Sequence, residues 1–139
     1  MAADSDCIFC KIVAGEIPSF QLYEDAETLA FMDINPANDG HCLVIPKAHS
    51  ATIYDIAPEE IAAAACTAAK VAKAVNAAVQ PDGLNLIQSN GPGAAQSVPH
   101  FHIHVLPRRM HDGLPVNWEL KPGDRARIAE VAERIRKLL

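Results

Sequence analysis

The sequence predicts an α+β fold: a five-stranded antiparallel sheet with one long central helix, a short N-terminal helix and a C-terminal helix. Three observations carry that expectation. Short apolar segments come in sequential clusters joined by tight turns, one long alanine-rich segment interrupts them, and a second amphipathic segment follows. The chain has 139 residues, half of them hydrophobic and 21% charged. That size and composition predict one globular domain over 1–139.

The first helix is expected over residues 7–13, stopped by Gly15 and then Pro18. Residues 20–24 and 28–33 read as strands on either side of the polar Asp25, Ala26 and Glu27, a hairpin signal. Residues 41–46, H-C-L-V-I-P, form an apolar strand after the turn-rich N-P-A-N-D-G. Pro58 at a first helical position, followed by Glu59 and Glu60, opens the longest helix, which runs to about Val79. On its alanine-rich surface Ile61, Ala65, Ala68, Ala72, Val75 and Val79 share one broad face, suited to close packing on a sheet or on a second subunit. A strand over 84–88, a loop over 89–95 and a last strand over about 98–106 complete the sheet. Gly123 and Asp124 begin the C-terminal helix, with Ile128, Val131, Ile135 and Leu138 at spacings of three and four.

Charge narrows the partners. Twelve Lys and Arg against 17 Asp and Glu leave a net −5, which argues against direct nucleic-acid binding or an anionic membrane surface. No apolar run reaches the roughly 18 residues that span a bilayer. The start, M-A-A-D-S-D, is acidic and is not expected to act as a secretory signal, so the cytoplasm is the expected compartment. Four cysteines in such a context read as thiols or metal ligands rather than disulfides. Cys42 and Cys66 are expected to be small buried hydrophobes. Cys7 and Cys10 form C-I-F-C.

The chemistry concentrates in P-H-F-H-I-H-V-L, where His100, His102 and His104 alternate with Phe101, Ile103 and Val105. A strand alternates faces with period two, so the imidazoles point one way, about 6.6 Å apart along the chain, and the apolar side chains the other. Packing gives no reason to line up three polar rings. Two readings compete: a metal held by imidazoles, or a phosphate attacked by one imidazole while its neighbours orient and donate. The preceding N-G-P-G-A-A-Q-S favours phosphate. Its glycines let backbone N–H groups converge on an anion, and Asn90, Gln96 and Ser97 add two amides and a hydroxyl. No acidic metal ligand occurs between Leu84 and Met110.

The segment H-F-H-I-H-V-L resembles the signature of the histidine triad (HIT) nucleotide-binding superfamily. C-I-F-C-K-I-V-A-G-E-I-P-S, A-F-M-D-I-N-P, G-H-C-L-V-I-P-K, A-H-S and Q-S-V-P-H-F-H-I-H-V-L-P-R look, in order, like the blocks of its Hint branch, and cover nearly the whole chain. The resemblance implies a HIT-like fold, a homodimer and a site for a purine nucleoside monophosphate. It makes His102 the nucleophile that forms a covalent nucleotidyl intermediate, hydrolysed in turn by water. His104 donates to a phosphate oxygen, and Ser97 lies near the scissile bond. Asn90 and Gln96 hold the remaining phosphate oxygens. Asp33 matches the ribose-binding carboxylate, and it also suits a turn before Asn35 and Pro36. Phe9, Ile34 and Leu43 are candidate walls around the base, each equally suited to the core.

The sequence departs from the animal Hint pattern at C-I-F-C. Some bacterial members resembling this chain carry a structural zinc there, completed by two histidines that match His49 and His100. Cys₂His₂ is a closed tetrahedral set for Zn²⁺; a redox dithiol or two buried thiols are the other readings. The resemblance thus implies a zinc-containing hydrolase of nucleoside 5′-phosphoramidates or related adenylates. A dinucleoside polyphosphate hydrolase is the alternative, and a nucleotide-binding regulatory module with little turnover is the alternative of another class. His41 reads as structural and His111 as a solvated loop residue. Arg108 and Arg109 read as solvated more than as leaving-group steering, and Trp118 as open between a leaving-group pocket and a subunit contact.

Overall fold

The structure, a computed structural model, describes residues 4–139. Residues 1–3, half of the acidic start read as lacking an export signal, lie outside them. The elements are α1 (Ile8–Val13), β1 (Gln21–Glu24), β2 (Thr28–Met32), β3 (Cys42–Pro46), α2 (Pro58–Val79), β4 (Gly83–Gln88), β5 (Ile103–Arg108) and α3 (Arg125–Arg136), with a 3₁₀ turn at Pro92–Ala94. The five strands form one sheet in the order β1-β2-β3-β5-β4, antiparallel throughout. This is the expected α+β fold. No helix among the described residues is long and apolar enough to cross a membrane.

Strand periodicity divides the apolar residues between two faces. Ala30, Cys42, Val44, Ile103 and Val105 meet α2 on one face, while Leu29, Phe31, Leu43 and Ile45 meet Phe9, Cys7 and Cys10 around α1 on the other. The central strand β3 is covered on both sides, and every residue of it is buried. A continuous apolar run is what such a strand requires.

Helix α2 keeps its expected bounds but turns a different face to the sheet. Ala64, Thr67, Ala68, Val71 and Val75 are buried, whereas Ala65 is exposed. Ile61, Ala72 and Val79 lie at the edge of the packed stripe. Cys66, expected to be buried, is exposed: two residues past Ala64 it stands about 200° around the helix, on the far side. The Thr67 hydroxyl, buried against the sheet, shares a hydrogen bond of 2.8 Å with that of Thr28. Arg109, read as a solvated surface residue, is exposed and donates to the carbonyls of Val79 and Gln80. It satisfies the orphaned acceptors at the end of a helix whose last turn holds no basic residue.

The last strand begins at Ile103, five residues later than the sequence predicts. Pro99 lacks an N–H, and the next amides bond outside the ladder, His100 to the Val98 carbonyl and Phe101 to that of Ser50. The alternation holds nonetheless. Phe101 belongs to the α2-side core, and the His100 and His102 rings lie edge-on to Phe9, at 5.9 and 5.2 Å between centroids.

Gly40 lets the turn before β3 fold tightly. Its φ is +91°, and a Cβ there would lie 3.1 Å from Pro107 Cγ and 3.3 Å from both Val79 methyls. Gly40→Ala is expected to cost roughly 1–3 kcal/mol, from a strained φ and an overpacked contact together. A urea titration checks this, and a loss within a few tenths of a kcal/mol would contradict it.

Candidate functional site

A cavity opens on the α1 side of the sheet, lined by Phe9, Phe31, Asp33, Leu43, Ser97, His102 and His104, with Ile34 exposed at its mouth. Of the expected site residues, Asn90 and Gln96 are not on this wall. The Asn90 amide pairs with that of Gln88 and accepts from the Ile53 amide. Gln96 accepts from Gly91 and donates to the carbonyls of Ala51 and Val98. Both side chains thereby tie the glycine-rich loop to the segment at Ala51 and Ile53. A larger concavity, about 650 Å³, lies beyond the other end of β5 around Asp82, Asn85, Met110 and Asn117. Its charge is already matched: Arg108, expected to be solvated, forms a two-pronged ion pair with Asp112 at 2.8 Å. The larger concavity carries the single ring of His111, whereas in the smaller cleft two imidazoles stand side by side, and this cleft is the candidate site.

His102 is almost fully buried, and its Nδ1 lies 2.7 Å from the His100 carbonyl. A carbonyl only accepts, so Nδ1 carries the proton and Nε2 keeps its lone pair. Phe9 stands edge-on to the ring, and burial holds its pKa below the ordinary 6.5. His104 sits in the ladder opposite Leu43 and Ile87, its ring 5.0 Å from that of His102. Burial, helped by His102 and His41, pulls it down to about 4. Both rings are thus neutral near pH 7.

Asp33 makes the turn and also lines the cavity. Oδ1 accepts from the Asn35 amide at 2.8 Å, which makes the turn, while Oδ2 lies 3.5 Å from His41 Nε2 on the cavity side. His41 is the residue that the sequence reads as structural and does not connect to the site. It is buried, and its Nε2 is 2.9 Å from His104 Nδ1. Asp33, His41 and His104 together form a group with metal-ligating atoms, as does a second cluster described next. A polar ring opening the otherwise apolar β3 was the available signal for His41.

Behind the cavity, Cys7, Cys10, His49 and His100 bring two Sγ and two imidazole nitrogens within 4.8 Å of one another. Cys7 is the N-cap of α1 and Cys10 lies one turn on, so helical spacing puts both sulfurs on one side. His100 is fully buried. Its Nε2 donates to the Pro46 carbonyl at 2.8 Å, leaving the Nδ1 lone pair to face Cys7 Sγ at 3.3 Å and Cys10 Sγ at 3.6 Å. A carbonyl orienting a ligand imidazole in this way is common support for a bound metal. Burial pushes the Cys10 thiol up, and a dication reverses that preference, because it binds the thiolate. The residues present fit a tetrahedral metal ion. His100, expected in both sites, does not line the cavity and serves this cluster.

The lowered imidazoles carry a stability consequence. Burial lowers His104 to about 4 and His41 in the same direction, against 6.5 for a free ring. The unfolded chain takes up these protons first, so the contribution is whole above about pH 6.5 and is lost as pH falls towards 4. The unfolding free energy from urea titrations is expected to fall across that interval, and less steeply in His104→Asn. Parallel slopes would mean that His104 titrates as a free ring.

The HIT domain family matches residues 14–111. An adenosine 5′-monophosphoramidase of Candida albicans is 36% identical over 144 residues, covering 100% of this chain and 95% of that one. The crystal structure of a HIT family member from Bacillus subtilis superposes with a TM-score of 0.90 at 38% identity, over 97% of this chain and 98% of the other. A Zn-bound histidine triad family protein from Mycobacterium smegmatis gives 0.74 at 35% identity, over 93% and 97%. Triad, cavity and cysteine–histidine cluster thus stand on a fold shared with these proteins almost end to end, and the chain belongs to the HIT domain family.

Proposed function

We propose that the chain is a nucleotide hydrolase that cleaves purine nucleoside 5′-phosphoramidates, or related adenylated compounds, to a nucleoside monophosphate. The observation that carries the reading is the Nδ1 contact of His102 with the His100 carbonyl, which leaves Nε2 with its lone pair in a mainly apolar cavity. His102 Nε2 attacks phosphorus, a P–N(His) bond forms, and the P–N bond of the substrate breaks. The departing amine takes a proton from solvent water, relayed in this reading by the Ser97 hydroxyl at the cavity edge, which gives up its own proton and regains one from that water. Water then attacks the nucleotidyl-imidazole, releasing the monophosphate and restoring the ring. Asp33 accepts from the ribose hydroxyls through Oδ2, and Phe9, Ile34 and Leu43 flank the base. Loop amides and His104 meet the charge that develops on the phosphate oxygens.

Cys7, Cys10, His49 and His100 would hold a structural Zn²⁺, whose chemistry there is to bind two thiolates and two imidazoles and so tie α1 to the residue that carries His102's acceptor. The relationship to the monophosphoramidase and to the Zn-bound structure supports both parts of this reading. The chain is also read as a homodimer: Ile128, Ile135 and Leu138, in and just after α3, are exposed, and a second copy would cover them.

A steady-state assay of an adenosine phosphoramidate beside a diadenosine polyphosphate tests the function. The phosphoramidate is expected to be the better substrate, and His102→Gly to lower its turnover by roughly 10³-fold or more. Undiminished cleavage by that variant would sink the mechanism. Silence towards both substrates would favour a binding module.

Metal analysis of the same protein is expected to give about one zinc per chain, with Cys7→Ser losing it and melting about 5–15 °C lower. Prompt loss of activity on chelation without unfolding, restored by metal, would instead put the ion in the chemistry.

A further inference from the structure

Beside His102 stands a ring whose proton is placed by a chain of contacts that begins at a backbone amide. The Nδ1 of His41 lies 3.0 Å from the N–H of Ala37. An amide nitrogen only donates, so Nδ1 must accept, and the proton of neutral His41 sits on Nε2. That nitrogen faces only acceptors: His104 Nδ1 at 2.9 Å and Asp33 Oδ2 at 3.5 Å. Two neutral rings in contact share one proton between the facing nitrogens. His41 supplies it, His104 Nδ1 accepts it, and the proton of His104 is left on Nε2, the nitrogen turned away from His41, in a residue that lines the cavity.

We propose that the Ala37 amide, acting through His41, fixes His104 as the Nε2–H tautomer and so sets a hydrogen-bond donor beside the lone pair of His102. The benefit of that donor rests on the reading of the cavity as a phosphate site. Two neighbouring residues of one type then carry opposite tautomers, each imposed by the backbone. A carbonyl acceptor puts the His102 proton on Nδ1, and an amide donor two links away puts the His104 proton on Nε2. The other tautomer of His104 would turn a lone pair towards an anionic phosphate oxygen, replacing a donor with a repulsion. Burial keeps both His41 and His104 neutral near pH 7, the condition under which tautomers matter. His41 is accordingly a positioning residue for His104.

The test is long-range ¹H–¹⁵N correlation NMR on the ¹⁵N-labelled full chain at neutral pH, where protonated and bare imidazole nitrogens resonate far apart. Native His104 is expected to read as Nε2–H and His102 as Nδ1–H. His41→Gln keeps an N–H donor at the same reach. It is expected to preserve the His104 tautomer and to hold kcat for an adenosine phosphoramidate within about 3-fold. His41→Leu removes the donor, so His104 is expected to populate both tautomers, with kcat about 10–100-fold lower and KM little changed. A native His104 that reads as Nδ1–H would overturn the proposal, and so would a tautomer indifferent to His41→Leu in the folded variant. The native spectrum decides even if that variant does not fold. His104 as Nε2–H in a protein that hydrolyses no nucleotide would uphold the tautomer and overturn the functional reading alone.

Discussion

His100 is gripped on both nitrogens of its ring and on its backbone. Nε2 donates to Pro46 at the end of β3, Nδ1 faces the sulfurs of α1, and its carbonyl takes the Nδ1 proton of His102. No part of it reaches solvent, so water cannot replace any of these contacts, and losing one leaves a buried polar group unpaired. The position of His102 inherits that grip through a single 2.7 Å hydrogen bond. His104 is placed separately, by ladder pairing with Leu43 and Ile87. The two rings that face the cavity are therefore referenced to two different frames, and the 5.0 Å between them depends on both frames being rigid.

The apolar walls do chemical work by keeping the rings uncharged. In water a histidine is partly protonated near pH 7, and a protonated imidazole has no lone pair to offer phosphorus. Among Phe9, Phe31 and Leu43 the charged form is penalised, so His102 and His104 lie below the ordinary value. The same burial makes these residues a liability to folding in acid, a common bargain where a site needs groups that the rest of the fold would sooner leave in water. The larger concavity at the far end of β5 shows the opposite case. There Arg108 and Asp112 satisfy each other, and the Asp112 carboxyl is held well below its usual range.

What the sequence reveals and what it hides follow from the range of the interactions involved. The triad is legible because alternation is local: Phe101, Ile103 and Val105 announce the apolar face, and the histidines must take the other. Both ends of α2 are legible because Pro58 and the Pro81–Asp82–Gly83 turn are local stops. Its phase is not, since alanine on all sides erases the contrast that periodicity needs, and so Ala65 reads as inward although it is exposed. The start of β5 is hidden because it depends on which amides find partners across the sheet. His41 is hidden for a related reason. Its importance comes from a pairing across β2 and β3, where Met32 opposes Cys42 and the Asp33 amide bonds to the His41 carbonyl. Only with that register in hand does a histidine at the head of an apolar strand fall beside Asp33 and His104. The amides of Asn90 and Gln96 are hidden in the same way, since their partners include Ile53 and Ala51, far off in sequence.

The cysteine–histidine cluster and the cavity share the stretch from His100 to His104, yet they face apart. His100 is fully buried and absent from the cavity wall, so a cation on its Nδ1 would be separated from a ligand in the cavity by the ring and backbone of His100 itself. Through that route a charge is poorly placed to stabilise a developing oxyanion, whereas a displacement passes directly, because the same residue's carbonyl sets the tautomer and tilt of His102. Catalytic metals keep an open coordination position towards substrate, and an ion taken up by these four protein ligands would have none. Position, not charge, is what such a cluster can transmit.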